Sequence, residues 1–116
     1  MKSKHQIGQE GEIIVCAYLT AQGIVICERN YRNRYGEIDI IGLDIDKTIL
    51  IIEVKHYRTR SIDPRLVINA KKKATLVNMA LYYIQEKNLC DRQIRFDLVS
   101  LNQNKEIDHY KNICVL

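Results

Sequence analysis

Residues 36–57 read GEIDIIGLDIDKTILIIEVKHY, and the pattern of this stretch decides the fold. Two aliphatic runs, 37–43 and 48–55, flank the connection DIDK at 44–47, which predicts two antiparallel strands joined as a hairpin. Successive strand side chains alternate faces, so Ile49, Ile51, Glu53 and Lys55 share one face and Leu50, Ile52 and Val54 the other. The same rule puts Glu37, Asp39 and Ile41 on one face of the first strand. Each strand therefore carries an apolar row that turns to charge at one end. Asp39 and Glu53, both several residues from the turn, can approach across the ladder.

Working outward, GQEGEIIVCAYLTAQ at 8–22 is helix-compatible and Gly23 supplies a stop. IVICERNY at 24–31 reads as a strand and RNRYG at 32–36 as a turn. Downstream, Asp63 before Pro64 is a helix-start signal, and the helix is expected to run to about Lys87. Its stripe, Leu66, Ala70, Ala74, Val77, Leu81 and Ile84, marks one helix face, with Lys71, Lys72 and Lys73 around the opposite flank. QIRFDLVSL at 93–101 is a further strand and YKNICVL at 110–116 the last. The order helix, three strands, helix, two strands predicts an α/β (α+β) fold with a mixed five-stranded sheet flanked by helices. One domain over 1–116 is the simplest organisation, since no repeat or linker divides the chain.

The 116 residues are 47% apolar and 28% charged, the composition of a globular protein rather than a disordered one. Eighteen Lys and Arg against fourteen Asp and Glu leave a net charge of +4, a modest tilt toward polyanion partners. The N-terminus has no apolar signal region and the aliphatic runs IIV and ILII are too short to span a bilayer, so a cytoplasmic location is expected. Cys16, Cys27, Cys90 and Cys114 lack metal-ligand spacing and read as small core hydrophobes.

Two carboxylates held together repel unless protonated or neutralised, and a hard divalent ion such as Mg²⁺ or Mn²⁺ suits an all-oxygen setting. An ion there could polarise a phosphodiester and lower the pKa of its water, while Lys55 orients that water or offsets charge developing on the phosphate. Alternatively, Glu53 and Lys55 form an exposed pair that contributes little; the G-E-I-D on the partner strand favours a site. Glu12 shares a helix stripe with Cys16 and Leu19, toward a buried face, or else simply complements the helix dipole. Gly11 permits close approach of another element. Arginines and tyrosines flank the acidic cluster on both sides: Arg29, Tyr31, Arg32, Arg34 and Tyr35 before it, His56, Tyr57, Arg58 and Arg60 after it. These residue types grip phosphates and stack on unpaired bases. Lys71 is the helix lysine expected to face the site. Asp97 reads as a structural partner of Arg95, and His5 and His109 as free surface residues.

These pieces, in this order, resemble the PD-(D/E)XK nuclease superfamily, whose signature is an acidic residue, a short connection and then E-x-K. More closely they resemble the YraN-type bacterial proteins, themselves similar to archaeal Holliday-junction resolvases. The likeness is carried by GQEGEIIVCAYL at 8–19, RNYRNRYGEIDII at 29–41, IIEVK at 51–55, Lys71 and RFDLV at 95–99. It implies a restriction-endonuclease-like fold and a Mg²⁺- or Mn²⁺-dependent endonuclease acting on DNA, branched or otherwise structured. It further implies Asp39, Glu53 and the Val54 backbone carbonyl as metal ligands, Lys55 as the catalytic lysine, and Glu12 as the helix-borne acid of resolvase-like members. A departure from the pattern is Tyr57, which stands where family members carry Arg in E-V-K-x-R, leaving the phosphate contact to Arg58 or Arg60. Arg32, Arg34, Tyr35 and Lys71 complete the expected nucleic-acid surface. A resolvase-like role would suit a homodimer presenting two sites; the alternative is a nucleic-acid-binding module that keeps the fold without catalysis.

Overall fold

In the computed structural model, which describes residues 1–57 and 68–113, the central hairpin forms as its sequence dictates. Strand β2 (Gly36–Leu43) pairs antiparallel with β3 (Ile49–Tyr57), from Leu43↔Ile49 to Ile40↔Ile52. The turn between them closes through Asp44 N–H to Thr48 O and Lys47 N–H to Asp44 O, both 2.9 Å. Strand β1 (Val25–Asn33) pairs antiparallel with the outer edge of β2, and β4 (Ile94–Asn102) pairs parallel with β3 from Ile49↔Ile94 to Tyr57↔Asn102. Strand β5 (Ile107–Tyr110) closes the far edge, so the sheet is mixed and ordered β1-β2-β3-β4-β5.

Among the described residues, two helices cover opposite faces of the sheet. Helix α1 (Lys4–Ala21) seals Val15 and Leu19 against Ile24, Ile40, Leu50, Ile52, Val54 and Val99. Helix α2 (Ala70–Glu86), the crossover between parallel β3 and β4, seals Leu76, Met79, Ala80, Tyr83 and Ile84 against Ile38, Ile41, Ile49, Ile51 and Phe96. The alternation predicted for β3 is thus realised: odd positions pack under α2 and even positions under α1. Burying a side chain of this size contributes roughly 1.5–3 kcal/mol. Among the described residues no helix is long and apolar enough to cross a membrane.

Several expectations need correction. Helix α1 begins at Lys4 rather than Gly8, because Ser3 accepts from the Gln6 N–H while Gln6 reciprocates to the Ser3 N–H, a capping box. Its end is as predicted, with Gly23 at φ +87°. Helix α2 begins at Ala70: Asn69 is extended and caps the Lys72 N–H, so Ile68 and Asn69 lie outside the helix expected from 63 onward. Asp63, Pro64 and Leu66 lie outside the described residues. The buried face of α2 is also rotated from the predicted stripe. Ala70, Ala74 and Leu81 are exposed, and the heavy residues Met79 and Tyr83 set the orientation instead. Alanine gains little from burial, so a stripe counted on alanines misses it. The last strand is 107–110, and Lys111–Ile113 are not strand. Cys27 and Cys90 are exposed rather than core, while Cys114 lies outside the described residues.

Candidate active site

The centre is built where two strands part. β3 keeps β4 along its whole length, but its ladder with β2 stops at Ile40↔Ile52. Beyond that point the Val54 N–H donates to Asp39 Oδ2 at 2.8 Å, a side chain replacing the missing strand. A residue in a ladder presents its N–H and C=O to the same edge, so the Val54 carbonyl faces the same opening. The expected trio of Asp39, Glu53 and Val54 therefore meets at one place.

Glu53 is 7% exposed. Its Oε1 lies 3.2 Å from Lys72 Nζ and 3.9 Å from Lys55 Nζ, and its Oε2 is buried without a hydrogen-bond partner. Burial first, then the neighbouring Asp39 charge, push the Glu53 pKa above the ordinary carboxylate value, against the pull of Lys72 and Lys55. Asp39 is raised as well, by burial and by Glu37, against the Val54 N–H and the same two lysines. A carboxylate pair in this state holds either a proton or a cation more readily than two negative charges. The orphaned Glu53 oxygen and the oxygen-only donors fit a hard divalent ion. Among the described residues no three His, Cys, Asp or Glu side chains come together as a ligand set, so such an ion would rest on two carboxylates, the Val54 carbonyl and water, as Mg²⁺ tolerates.

Glu12 and Glu37 form a second acidic group rather than joining Glu53. With its amide nitrogen oriented to donate, Asn30 reaches Glu37 Oε1 at 3.1 Å and Glu12 Oε1 at 3.1 Å. Arg29 approaches Glu12 at 3.9 Å and Arg32 pairs with Glu37 at 3.2 Å. The Glu12 pKa is raised by burial and by Asp39, so the group remains electrostatically tied to the centre. This arrangement corrects the expectation that Glu37, Asp39 and Ile41 share a face. Asn30 adopts φ +53° opposite Asp39, and neither takes part in the β1–β2 ladder, though the register on both sides is unchanged. The faces invert across that step: Ile38 and Ile41 both pack under α2, and Glu37 turns to α1 beside Glu12. Asp39, at the crossover, couples to both groups.

The lysine from α2 is Lys72, not Lys71, which is exposed; the rotated helix face brings the second of the three lysines inward. Arg32, Arg34 and Tyr35 stand at the β1–β2 end, where the Arg34 guanidinium lies 5.0 Å from the Tyr35 ring centroid and 2.9 Å from its hydroxyl. Arg58 and Arg60 lie outside the described residues. Gly11 gives the close approach expected of it, since the His56 ring occupies the space a Cβ would take. Asp97 is structural as expected: Arg95 grips it bidentately at 2.9 Å and 2.9 Å. His109, expected free at the surface, is instead 5% exposed, with Nε2 2.8 Å from Asp97 Oδ2 and Nδ1 3.0 Å from the Tyr18 hydroxyl. No local sequence pattern announces that contact, because it joins residues 91 apart.

The chain is 39% identical over 108 residues to the UPF0102 protein of Thermodesulfovibrio yellowstonii, covering 92% of this chain and 94% of that one. It is 39% identical over 106 residues to the UPF0102 protein of Persephonella marina, covering 90% of each. Among solved structures, a repair endonuclease from Pyrococcus abyssi is similar with a TM-score of 0.45 and 19% identity, over 88% of this chain and 39% of that one. The model of the uncharacterised protein family UPF0102 matches residues 11–101, and the chain belongs to that family.

Proposed function

We propose that this chain is a metal-dependent endonuclease hydrolysing phosphodiester bonds of DNA, with branched or otherwise structured DNA as its preferred substrate. The observation that carries the reading is the parting of β2 and β3, where Asp39 holds the Val54 N–H and the buried Glu53 keeps an unpaired oxygen beside two ammonium groups. Asp39, Glu53 and the Val54 carbonyl would hold a divalent ion, which would supply Lewis acidity to the phosphate and a water of lowered pKa. Lys72, 3.2 Å from Glu53 Oε1, favours the ionised carboxylate against its burial and fixes its orientation. Lys55, on the same strand face and half exposed, meets the phosphate from solvent and offsets the negative charge that grows as the P–O bond breaks.

The test is cleavage of linear, flapped and four-way DNAs with Mg²⁺ or Mn²⁺ by the native chain, Asp39→Asn, Glu53→Gln and Lys55→Ala. Each substitution is expected to lower the rate by about 10²-fold or more, and Glu53→Gln to weaken Mn²⁺ binding in calorimetry. Equal cleavage by all four proteins would reject catalysis at this centre. DNA binding that survives every substitution, with no metal-dependent cleavage by the native chain, would instead identify a binding module.

A further inference from the structure

A second feature lies on the α2 side of the β1–β2 end. A cleft of about 530 Å³ is lined by Tyr31, Arg32, Asn33 and Arg34 from β1 and its turn, and by Tyr82 and Glu86 from α2. Tyr82 is 40% exposed and stands edge-on to Tyr35, ring centroids 6.4 Å apart, so an aromatic surface remains available at the mouth. Tyr31 Oη and Asn33 Nδ2 are buried beside each other without a well-formed hydrogen bond between them. Asn33 cannot relieve this by turning its amide, because its Oδ1 already accepts the Tyr35 N–H at 2.9 Å. Polar atoms left in that condition favour a ligand that can complete them.

The charge pattern selects the ligand. The Arg34 guanidinium suits a nucleic-acid backbone, but the Glu86 carboxylate opposes a phosphate in the same cleft and favours a group that donates hydrogen bonds. Tyrosine faces with polar groups between them take an unpaired base, whose Watson–Crick edge is open to protein only when it has left the duplex. Guanine presents two adjacent donors, N1–H and N2–H, to the two oxygens of a carboxylate. Thymine offers one N–H between two carbonyl oxygens that the carboxylate repels. Along α2, Tyr82 stands ten residues, about 15 Å of helix rise, beyond the Lys72 that pairs with Glu53, a separation that a few nucleotides of one strand span.

We infer that this cleft holds one unpaired nucleobase, guanine in preference to thymine, on a strand whose phosphodiester lies at the Asp39–Glu53 centre. The position relative to the scissile bond rests on the nuclease reading above; base binding itself does not. The substrate class this selects is DNA with a base displaced from its stack a few nucleotides from the cleaved bond.

The experiment is fluorescence anisotropy in EDTA, with no metal and hence no cleavage. It compares a blunt duplex with the same duplex bearing a two-nucleotide dG flap or dT flap. The native chain is expected to bind the dG flap about tenfold more tightly than the dT flap, and the dT flap more tightly than the blunt duplex. Tyr82→Ala is expected to cost about tenfold on either flap, within the usual range for base stacking. Glu86→Gln is expected to erase the dG preference and leave blunt-duplex binding unchanged. Both side chains are exposed, so the fold tolerates these changes. Equal affinity for flapped and blunt DNA, or a dG preference that persists in Glu86→Gln, overturns the inference. If base preference holds while metal-dependent cleavage is absent, the cleft stands and the nuclease reading falls; the reverse pattern removes the cleft alone.

Discussion

Asn30 shows how one residue arranges several others. At φ +53° it occupies backbone space that most L residues avoid at a cost of roughly 1–2 kcal/mol, and asparagine is among the few that tolerate it. Its side chain joins Glu12 to Glu37, while the inversion it shares with Asp39 sends Ile38 into the α2 core. Asn30→Ala is expected to lose about 1–2 kcal/mol in urea unfolding, combining backbone strain with lost hydrogen bonds. Asn30→Gly is expected to lose less, since glycine accepts the backbone. Glu53 illustrates the opposite balance. Its folded pKa is raised, so its ionised form disfavours the fold above the ordinary carboxylate pKa, a penalty relieved as pH falls. Glu53→Gln is therefore expected to stabilise the chain by on the order of 1 kcal/mol while removing activity, a trade common at functional sites. The charges at Glu53 and Lys55 were legible in strand parity because they end the apolar row of Ile49 and Ile51. The regrouping of Glu37 with Glu12 was not, since parity presumes an unbroken pleat and Asn30 breaks it.

Among the elements, α2 separates what periodicity can and cannot say. Its existence and approximate end follow from the sequence, but its angular setting depends on the large residues that fill the space over Ile38, Ile41 and Phe96. Met79→Ala is expected to destabilise by about 2–5 kcal/mol. Leu81→Ser, on the stripe predicted from spacing but 48% exposed, is expected to change stability by about 0.5 kcal/mol or less. Chemical denaturation of the two variants distinguishes the settings, and equal losses would favour the predicted face. The rotation has a functional side as well, since it is what directs Lys72 rather than Lys71 toward Glu53. The start of α1 was missed for a simpler reason: Ser3 with Gln6 is a capping box, five residues before the helix-compatible stretch that begins at Gly8.

Across the whole molecule, one buried polar cluster fastens the C-terminal segment to the rest. Asp97 on β4 accepts from Arg95, from the Asn112 N–H at 3.0 Å, and from His109 on β5, whose other nitrogen meets Tyr18 of α1. A carboxylate accepts only, so His109 Nε2–H donates to Asp97 while Nδ1 lies within hydrogen-bond distance of the Tyr18 hydroxyl. Burial alone would raise the Asp97 pKa, yet these donors outweigh it and hold the group at about 2. A depressed carboxylate pKa contributes stability that is complete above the unfolded value of 3.8 and is lost as pH falls through about 2. The contribution is about 2 kcal/mol. Urea midpoints measured from pH 5 to pH 2 are expected to fall more steeply for the native chain than for Asp97→Asn. Parallel slopes would show that Asp97 is not the titrating group. Local pattern identified Asp97 with Arg95, two residues apart, and missed the partners that only the closed sheet supplies.

The edges of that sheet have a further consequence. β1 is an outermost strand of nine residues, long enough for its open row of N–H and C=O groups to recruit another chain. It carries a register shift between Ile26 and Glu28, the left-handed step at Asn30, and charges at Glu28, Arg29 and Arg32. A strand so bent and charged offers no straight template for a neighbour. The opposite border, β5, is only four residues long. The irregularity that groups the acidic side chains thus also breaks the strand edge that a growing fibril would need, one distortion of the backbone with two effects.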